Sequence, residues 1–434
     1  MTNTVWRDRL AAINSTLLGA LFFLVPTQIA PAYVLTGLML VFWLVEGRWQ
    51  QKWQALRSNP VFWVFQAYFW WVVVSLLWTT DMQEGRNMVS SYLFFLLSAL
   101  TFTVARREHI PRYLLAFALS VVLCEALATY NWLHLNHYPQ WPDGLRAPKD
   151  AMETAPFVDR LLFGPVLAFA GYVGAWKAVT TSGRPRIAWT LTVLTAFLVL
   201  SFSASRVGMI GFSLMMAVLA FQMLAGRRVV ALASAAAVLL GCAIGLYALS
   251  DANTKDRIGQ IFSESRKLDT AVNESIPLRY IYAGNTLQII AKHPWFGVGA
   301  GDFKAEYKKV NSQRTPAWNL TRDPHNQLLF NLVTTGLLGG LLLFAVWIAP
   351  PWLTRHWPDD GLRPLRIGLP VFYFFICLSD SYIWRSNTGL MFMLFSALLY
   401  GPRPMSVPSE AARRGGTQRA ASPGNKKPPV SRPR

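Results

Sequence analysis

Runs of about 20 apolar residues, parted by short polar intervals, recur along the whole chain. At about 1.5 Å of helical rise per residue, each run is long enough to cross the hydrocarbon of a bilayer. The pattern predicts an all-α polytopic membrane protein with about twelve transmembrane helices. They lie near 12–29, 31–46, 61–79, 88–105, 113–132, 158–176, 187–203, 206–225, 229–249, 324–349, 366–384 and 386–401. The expected organisation is nine helices over 1–249, a polar loop domain over 250–323, three more helices over 324–401, and a tail over 402–434.

Composition agrees. Of 434 residues, 53% are hydrophobic and only 15% charged, against about 25% in a soluble domain. The net charge of +19 does not indicate nucleic acid, because the cations collect in alternate short connections and in the tail. Arg7 and Arg9, Arg48 with Lys52 and Arg57, Arg106 with Arg107 and Arg112, Lys177 with Arg184 and Arg186, Arg227 with Arg228, and Arg355 with Arg363 and Arg366 mark one side. The other side is nearly bare. The positive-inside rule puts both termini in the cytoplasm and the interval 250–323 outside it. The first apolar run follows two arginines without a small-residue cleavage site, so it reads as an uncleaved span. The tail, rich in Pro, Gly, Ser and basic residues, reads as disordered and drawn to anionic headgroups. Cys124, Cys242 and Cys377 lie far apart in apolar runs, which argues against a disulfide framework or a zinc site.

The outer interval has its own punctuation. Apolar residues at helical spacing from Pro277 to Ile290 predict an amphipathic helix, ended by His293-Pro294. A glycine-spaced loop (Gly297, Gly299, Gly301) follows, then a short polar helix near 303–313. Asp323-Pro324 reads as N-cap and first position of the next span, which would place His325 and Asn326 in its first turn.

Ionisable groups near membrane depth line cavities or pair with one another. Arg206, Arg279, His325, Asp380 and Arg385 all fall on the outer side. Arginines suit a diphosphate leaving group, and a histidine suits an attacking hydroxyl. Taken singly each residue has an ordinary role: Arg206 a snorkelling anchor, Arg279 a surface arginine, His325 a helix cap, Asp380 a partner of Arg385. Together they suit transfer of a group from a lipid diphosphate to an alcohol. No paired acidic motif on the outer side calls for a metal or other cofactor. The glycine loop is a weak phosphate signal, since no Lys-Ser/Thr follows it, and Trp384 has the character of an interface anchor or a sugar platform.

These residues carry a resemblance. Ser205-Arg206-Val207-Gly208, Arg279 with His293-Pro294-Trp295-Phe296-Gly297-Val298-Gly299-Ala300-Gly301-Asp302-Phe303, and Pro324-His325-Asn326-Gln327 leading to Gly336-Leu337-Leu338-Gly339 resemble, in order and spacing, the signatures of the O-antigen ligase/polymerase superfamily. The resemblance implies an inner-membrane glycosyltransferase with a GT-C-type fold and a periplasmic active site. Its donor would be a glycan on undecaprenyl pyrophosphate, and the ligase's acceptor lipid A–core oligosaccharide. It carries the family's essential residues to Arg206, Arg279 and His325, with Asn326, Asp380, Arg385, Trp384, Gly297 and Gly299 as expected substrate contacts. The expected partners are donor, acceptor and membrane lipids, without nucleic acid. An inverting, metal-independent, one-step transfer is expected, with the outer interval as a lid over an interfacial cleft. The O-antigen polymerase and the protein O-oligosaccharyltransferase are sister readings. A lipid-linked glycan transporter is the alternative of another class, which would place its ionisable residues near mid-membrane.

Overall fold

The computed structural model describes residues 2–137, 154–265 and 275–401, which are helical and contain no strand. Residues 138–153, part of the predicted outer interval 250–323, and the tail over 402–434 lie outside the described residues. The chain begins with α1 (Thr2–Leu24), α2 (Ile29–Glu46), α3 (Trp49–Arg57) and α4 (Pro60–Val74), the last drawn out by a 3-10 turn to Trp78. It continues with α5 (Met82–Ser91), α6 (Leu93–Leu96), α7 (Ser98–Val104) and α8 (Ile110–His137). Next come α9 (Arg160–Thr180), α10 (Arg184–Phe202), α11 (Arg206–Met223) and α12 (Arg228–Leu249). The polar interval supplies α13 (Ala252–Ser265), α14 (Ser275–Lys292) and α15 (Phe303–Arg314), and the bundle resumes with α16 (Gln327–Leu353), α17 (Arg363–Cys377) and α18 (Ser386–Tyr400).

Among the described residues, eight helices are long and apolar enough to cross a membrane: α2, α4 with its 3-10 turn, α8 to α12, and α16. The other four expected spans are helical without meeting that measure. α1 carries Arg7, Asp8 and Arg9 in its first turns; the 88–105 run is broken into α5, α6 and α7; α17 and α18 have 15 residues each. The span expected over 366–384 ends at Cys377, so Asp380 lies in a turn beyond the helix.

α18 is the axis of the bundle, with every residue from Asn387 to Tyr400 buried. Phe395 packs edge-on against Phe22 of α1, Phe117 of α8 and Phe169 of α9, with ring centroids 5.2, 5.0 and 4.9 Å away. α10 and α12 instead turn Ile187, Leu191, Val229 and Ile244 outward, as helices facing lipid do. Such helices associate through close packing rather than water exclusion. The crossing of α9 and α11 shows this: a Cβ on Gly208 would lie 2.7 Å from the Gly164 Cα, and one on Gly164 would strike the Ser205 side chain.

α16 is broken at Gly336, whose φ of 70° takes it out of the helix. The break frees the carbonyls of Val333 and Thr334, and the glycine loop fills the gap. Val298 N donates to Val333 O at 2.8 Å, Gly299 N to Thr334 O at 3.0 Å, and Leu337 N to Pro294 O at 2.9 Å. Asp302 closes the clasp by accepting from the N–H groups of Thr80 and Asp81, both at 2.7 Å. The outer-loop motif thus fastens α14 and α15 to the bundle.

Candidate active site

The site is assembled from four pieces: the segment 321–326 before α16, the turn 378–385 between α17 and α18, α14, and the start of α11. The sequence expectation needs one correction at its centre. α16 starts at Gln327, and its N-cap is Asn326, whose Oδ1 accepts from Leu329 N at 3.0 Å. Asp323 is therefore not the cap. Its Oδ1 accepts from His325 N at 2.8 Å, and His325 is held at φ 51° just outside the helix. An Asx turn of this kind favours the left-handed conformation, and it swings the imidazole off the helix axis.

His325 Nδ1 lies 3.4 Å from Asp380 Oδ2 and 3.8 Å from Asp323 Oδ1. Neither contact meets hydrogen-bond geometry, and the ring packs against Tyr282. That ring is stacked on it at 5.7 Å and 18°. Both carboxylates are buried, at 2% exposure for Asp380 and 4% for Asp323, and Arg385 bridges them at 3.2 and 3.6 Å. Asp380 Oδ1 also accepts from Ser381 N at 2.7 Å. Burial alone would raise the Asp380 carboxyl; the His325 ring and the Arg385 charge outweigh it and bring it down to about 2. Burial holds the Tyr282 phenol above its ordinary value.

The arginines reach this cluster along α14. Arg206 Nη2 donates to Ser275 Oγ at 2.9 Å; Arg279 is one turn further on, and Tyr282 meets His325. Positions 275, 279 and 282 follow the four-and-three spacing of one helix face, about 10 Å from end to end. Arg279 is half-buried and makes no hydrogen bond or ion pair with a described residue, while its charge is felt at the buried Tyr382 phenol beside Asp380. Arg206 is set by its own motif. Ala204 turns the chain at φ 51°, Ser205 caps α11 by accepting from Gly208 N at 3.3 Å, and Gly208 allows the close crossing with α9. Arg206 also stands at the edge of an apolar cavity of about 220 Å³ between α11 and α12, lined by Met209, Ile210, Leu239, Leu246 and Tyr247.

The structure therefore gathers His325, Asp380, Arg385, Arg206 and Arg279 around α14. It gives three expected contacts other work. Asn326 spends both ends of its amide, capping α16 and donating from Nδ2 to Leu378 O at 3.0 Å. Gly297 N bonds His293 O and Gly299 N bonds Thr334 O, so neither presents a backbone donor to a phosphate; a Cβ on either would strike the backbone of α16 or of Thr79. Asp380 has both oxygens engaged, Oδ1 by Ser381 N and Arg385 and Oδ2 facing His325. Two residues escape sequence reasoning: Asp323 has the local pattern of a helix cap, and Gln327 lies in the Pro324–Gln327 motif with nothing to single it out. Gln327 is wholly buried; its Oε1 accepts from Ile383 N and Trp384 N, both at 3.1 Å, and its Nε2 donates to Tyr92 Oη and Asn331 Oδ1, both at 2.8 Å. It thereby ties the start of α16 to the turn that carries Asp380 and Arg385.

Asp323, His325 and Asp380 also have the donor set of a metal site, their ligand atoms lying within 4.8 Å of one another. The Arg385 guanidinium already stands against both carboxylates and brings the positive charge that a cation would supply.

A helical membrane protein with an arginine–histidine–carboxylate cluster at one end of its bundle is the class this geometry defines. Residues 191–344 match a family model described as O-antigen ligase. The matched stretch runs from α10 into α16 and contains Arg206, Arg279, the glycine loop and His325. No curated protein matches the chain.

Proposed function

We propose that this protein transfers an O-antigen glycan from undecaprenyl pyrophosphate to a sugar hydroxyl of lipid A–core oligosaccharide at the periplasmic face of the inner membrane. The observation that carries the reading is the row along α14, which links Arg206 through Ser275 and Arg279 to His325 through Tyr282. The row puts two cations and a base along one face, with an apolar cavity beside the first cation for the start of a lipid chain.

In this reading the carboxylates favour an Nδ1–H on His325, leaving the Nε2 lone pair to take the proton of the acceptor hydroxyl. The acceptor oxygen attacks the anomeric carbon as its bond to the diphosphate oxygen breaks, inverting the centre. Arg206 and Arg279 stabilise the charge that gathers on the departing diphosphate. Arg385 balances the buried carboxylates, so the transfer needs no metal ion.

The test is reconstitution of the purified chain with lipid-linked glycan and separate acceptors, with EDTA present. Glycan appearing on lipid A–core is the expected result. Elongation on the lipid carrier alone would make the protein a polymerase, and activity lost to EDTA and restored by a divalent ion would overturn the metal-free chemistry.

A further inference from the structure

A small pocket of about 160 Å³, lined by both polar and aromatic side chains, opens beside the cluster and has no part in the chemistry above. Glu84 and Asn87 of α5, Lys304 of α15, Arg322, and Trp384 line it, with the Phe303 and Phe330 rings below. Its position follows from the chain: Trp384 precedes Arg385, Arg322 precedes Asp323, and the Trp384 ring packs on Phe330 at 5.2 Å.

The chemistry of the lining is specific. The Trp384 Nε1–H is buried and finds no acceptor among the described residues, a state that buried donors rarely keep without a water or ligand. Arg322 is exposed and makes no ion pair with a described residue. Lys304 reaches Glu84 only at 3.9 Å, with both side chains well solvated, a pairing too loose to hold either. A carboxylate and an amide beside aromatic rings suit sugar hydroxyls and the apolar face of a sugar ring. A neutral sugar would leave both cations without a partner, whereas a phosphate or carboxylate substituent would meet them. A lipid chain fits poorly, because it would leave the four polar side chains of the lining, Glu84, Asn87, Lys304 and Arg322, without partners.

We infer that the pocket formed by Glu84, Asn87, Lys304, Arg322 and Trp384 seats an anionic sugar, phosphorylated or carboxylated, of the acceptor glycan. The inference rests on the glycosyl-transfer reading for the word acceptor, and on the pocket alone for the anionic sugar.

Two measurements on the full chain in nanodiscs test it. In the first, glucose 6-phosphate, glucose and inorganic phosphate are compared by saturation-transfer NMR. The phosphosugar should bind about tenfold more tightly than either fragment, Trp384→Phe should weaken it, and the Lys304→Gln/Arg322→Gln double variant should lose about tenfold. Equal binding by the double variant, or no preference for the phosphosugar, would overturn the site. In the second, the double variant should raise the KM for a phosphorylated acceptor about tenfold, with donor KM and kcat nearly unchanged. A shift confined to the donor KM would refute the acceptor assignment. If the wild-type chain transfers glycan to nothing while the phosphosugar result holds, the transfer reading fails and the anionic-sugar site stands.

Discussion

At the scale of single residues, the site rests on a histidine held in an unusual backbone conformation. His325 sits at φ 51° because the Asp323 carboxylate takes its N–H, and its ring meets Tyr282, Asp380 and Asp323. His325→Ala should cut turnover by about 10²- to 10⁴-fold, read as transfer rate against an unchanged size-exclusion profile. Arg279→Lys keeps the charge but loses the forked donors, so a loss of about tenfold in kcat/KM is expected; an unaffected rate would remove Arg279 from the diphosphate. The Asp380 carboxyl is depressed to about 2 in the fold, so it contributes stability above its unfolded value near 3.9 that is lost as pH falls through the folded value. The melting temperature in detergent should therefore drop between about pH 4 and pH 2. Asp380→Asn should remove this acid-sensitive increment, on the order of 2 kcal/mol; a wild-type and variant difference independent of pH would contradict it. Arg206, Arg279 and His325 were legible in the sequence because each stands beside strong punctuation: a capping serine, a proline-led helix, an Asp-Pro. Asp323 was not, since Asp-Pro reads as a helix start by local rules, and only the fold shows that the carboxylate turns back to the next N–H but one.

At the scale of elements, α14 and α16 do the positioning. α14 was legible from its apolar spacing, and its observed range, Ser275–Lys292, extends the expected helix by two residues at each end. The break in α16 was not legible, because Gly336 lies in an apolar run that hides the change of direction. The glycine loop likewise reads as a phosphate cradle until its partners are seen. Gly336→Ala places a side chain against Trp295 O at a positive φ and should cost about 1–3 kcal/mol, measured by thermal unfolding of the detergent-solubilised protein. Gln327→Leu leaves the N–H groups of Ile383 and Trp384 without their acceptor. Unmet buried donors cost about 1–3 kcal/mol each, so a clear fall in melting temperature is expected. A structural role alone would stop there. A positioning role adds a drop in kcat larger than any change in donor KM, with the pH profile of kcat displaced as the Asp380–His325 contact loosens; a stable variant with the wild-type pH profile would argue against it.

For the whole molecule, we propose from the alternation of basic and bare connections that the His325 end of the bundle faces away from the cytoplasm. The structure adds that this cluster and the end of α18 at Tyr400 are separated by the full 15-residue length of that helix. A single cysteine at exposed Lys308 should label with a membrane-impermeant reagent in intact spheroplasts, and one at His356 only after lysis. The reverse pattern would invert the orientation. The bundle was readable from hydropathy because lipid-facing helices such as α12 are apolar on all sides. The short or broken helices around α18 were harder to delimit, since burial in protein removes the need for a full-length apolar run. The proposed chemistry is glycosyl transfer at the His325 cluster without a metal. It is tested most directly by reconstituting the wild-type and His325→Ala proteins side by side in proteoliposomes with lipid-linked glycan, lipid A–core and EDTA, and measuring the initial rate of glycan transfer. Transfer by the wild type and a loss of at least about 10²-fold in the variant are expected at equal folded protein; comparable rates from the two would rule out His325 as the catalytic base.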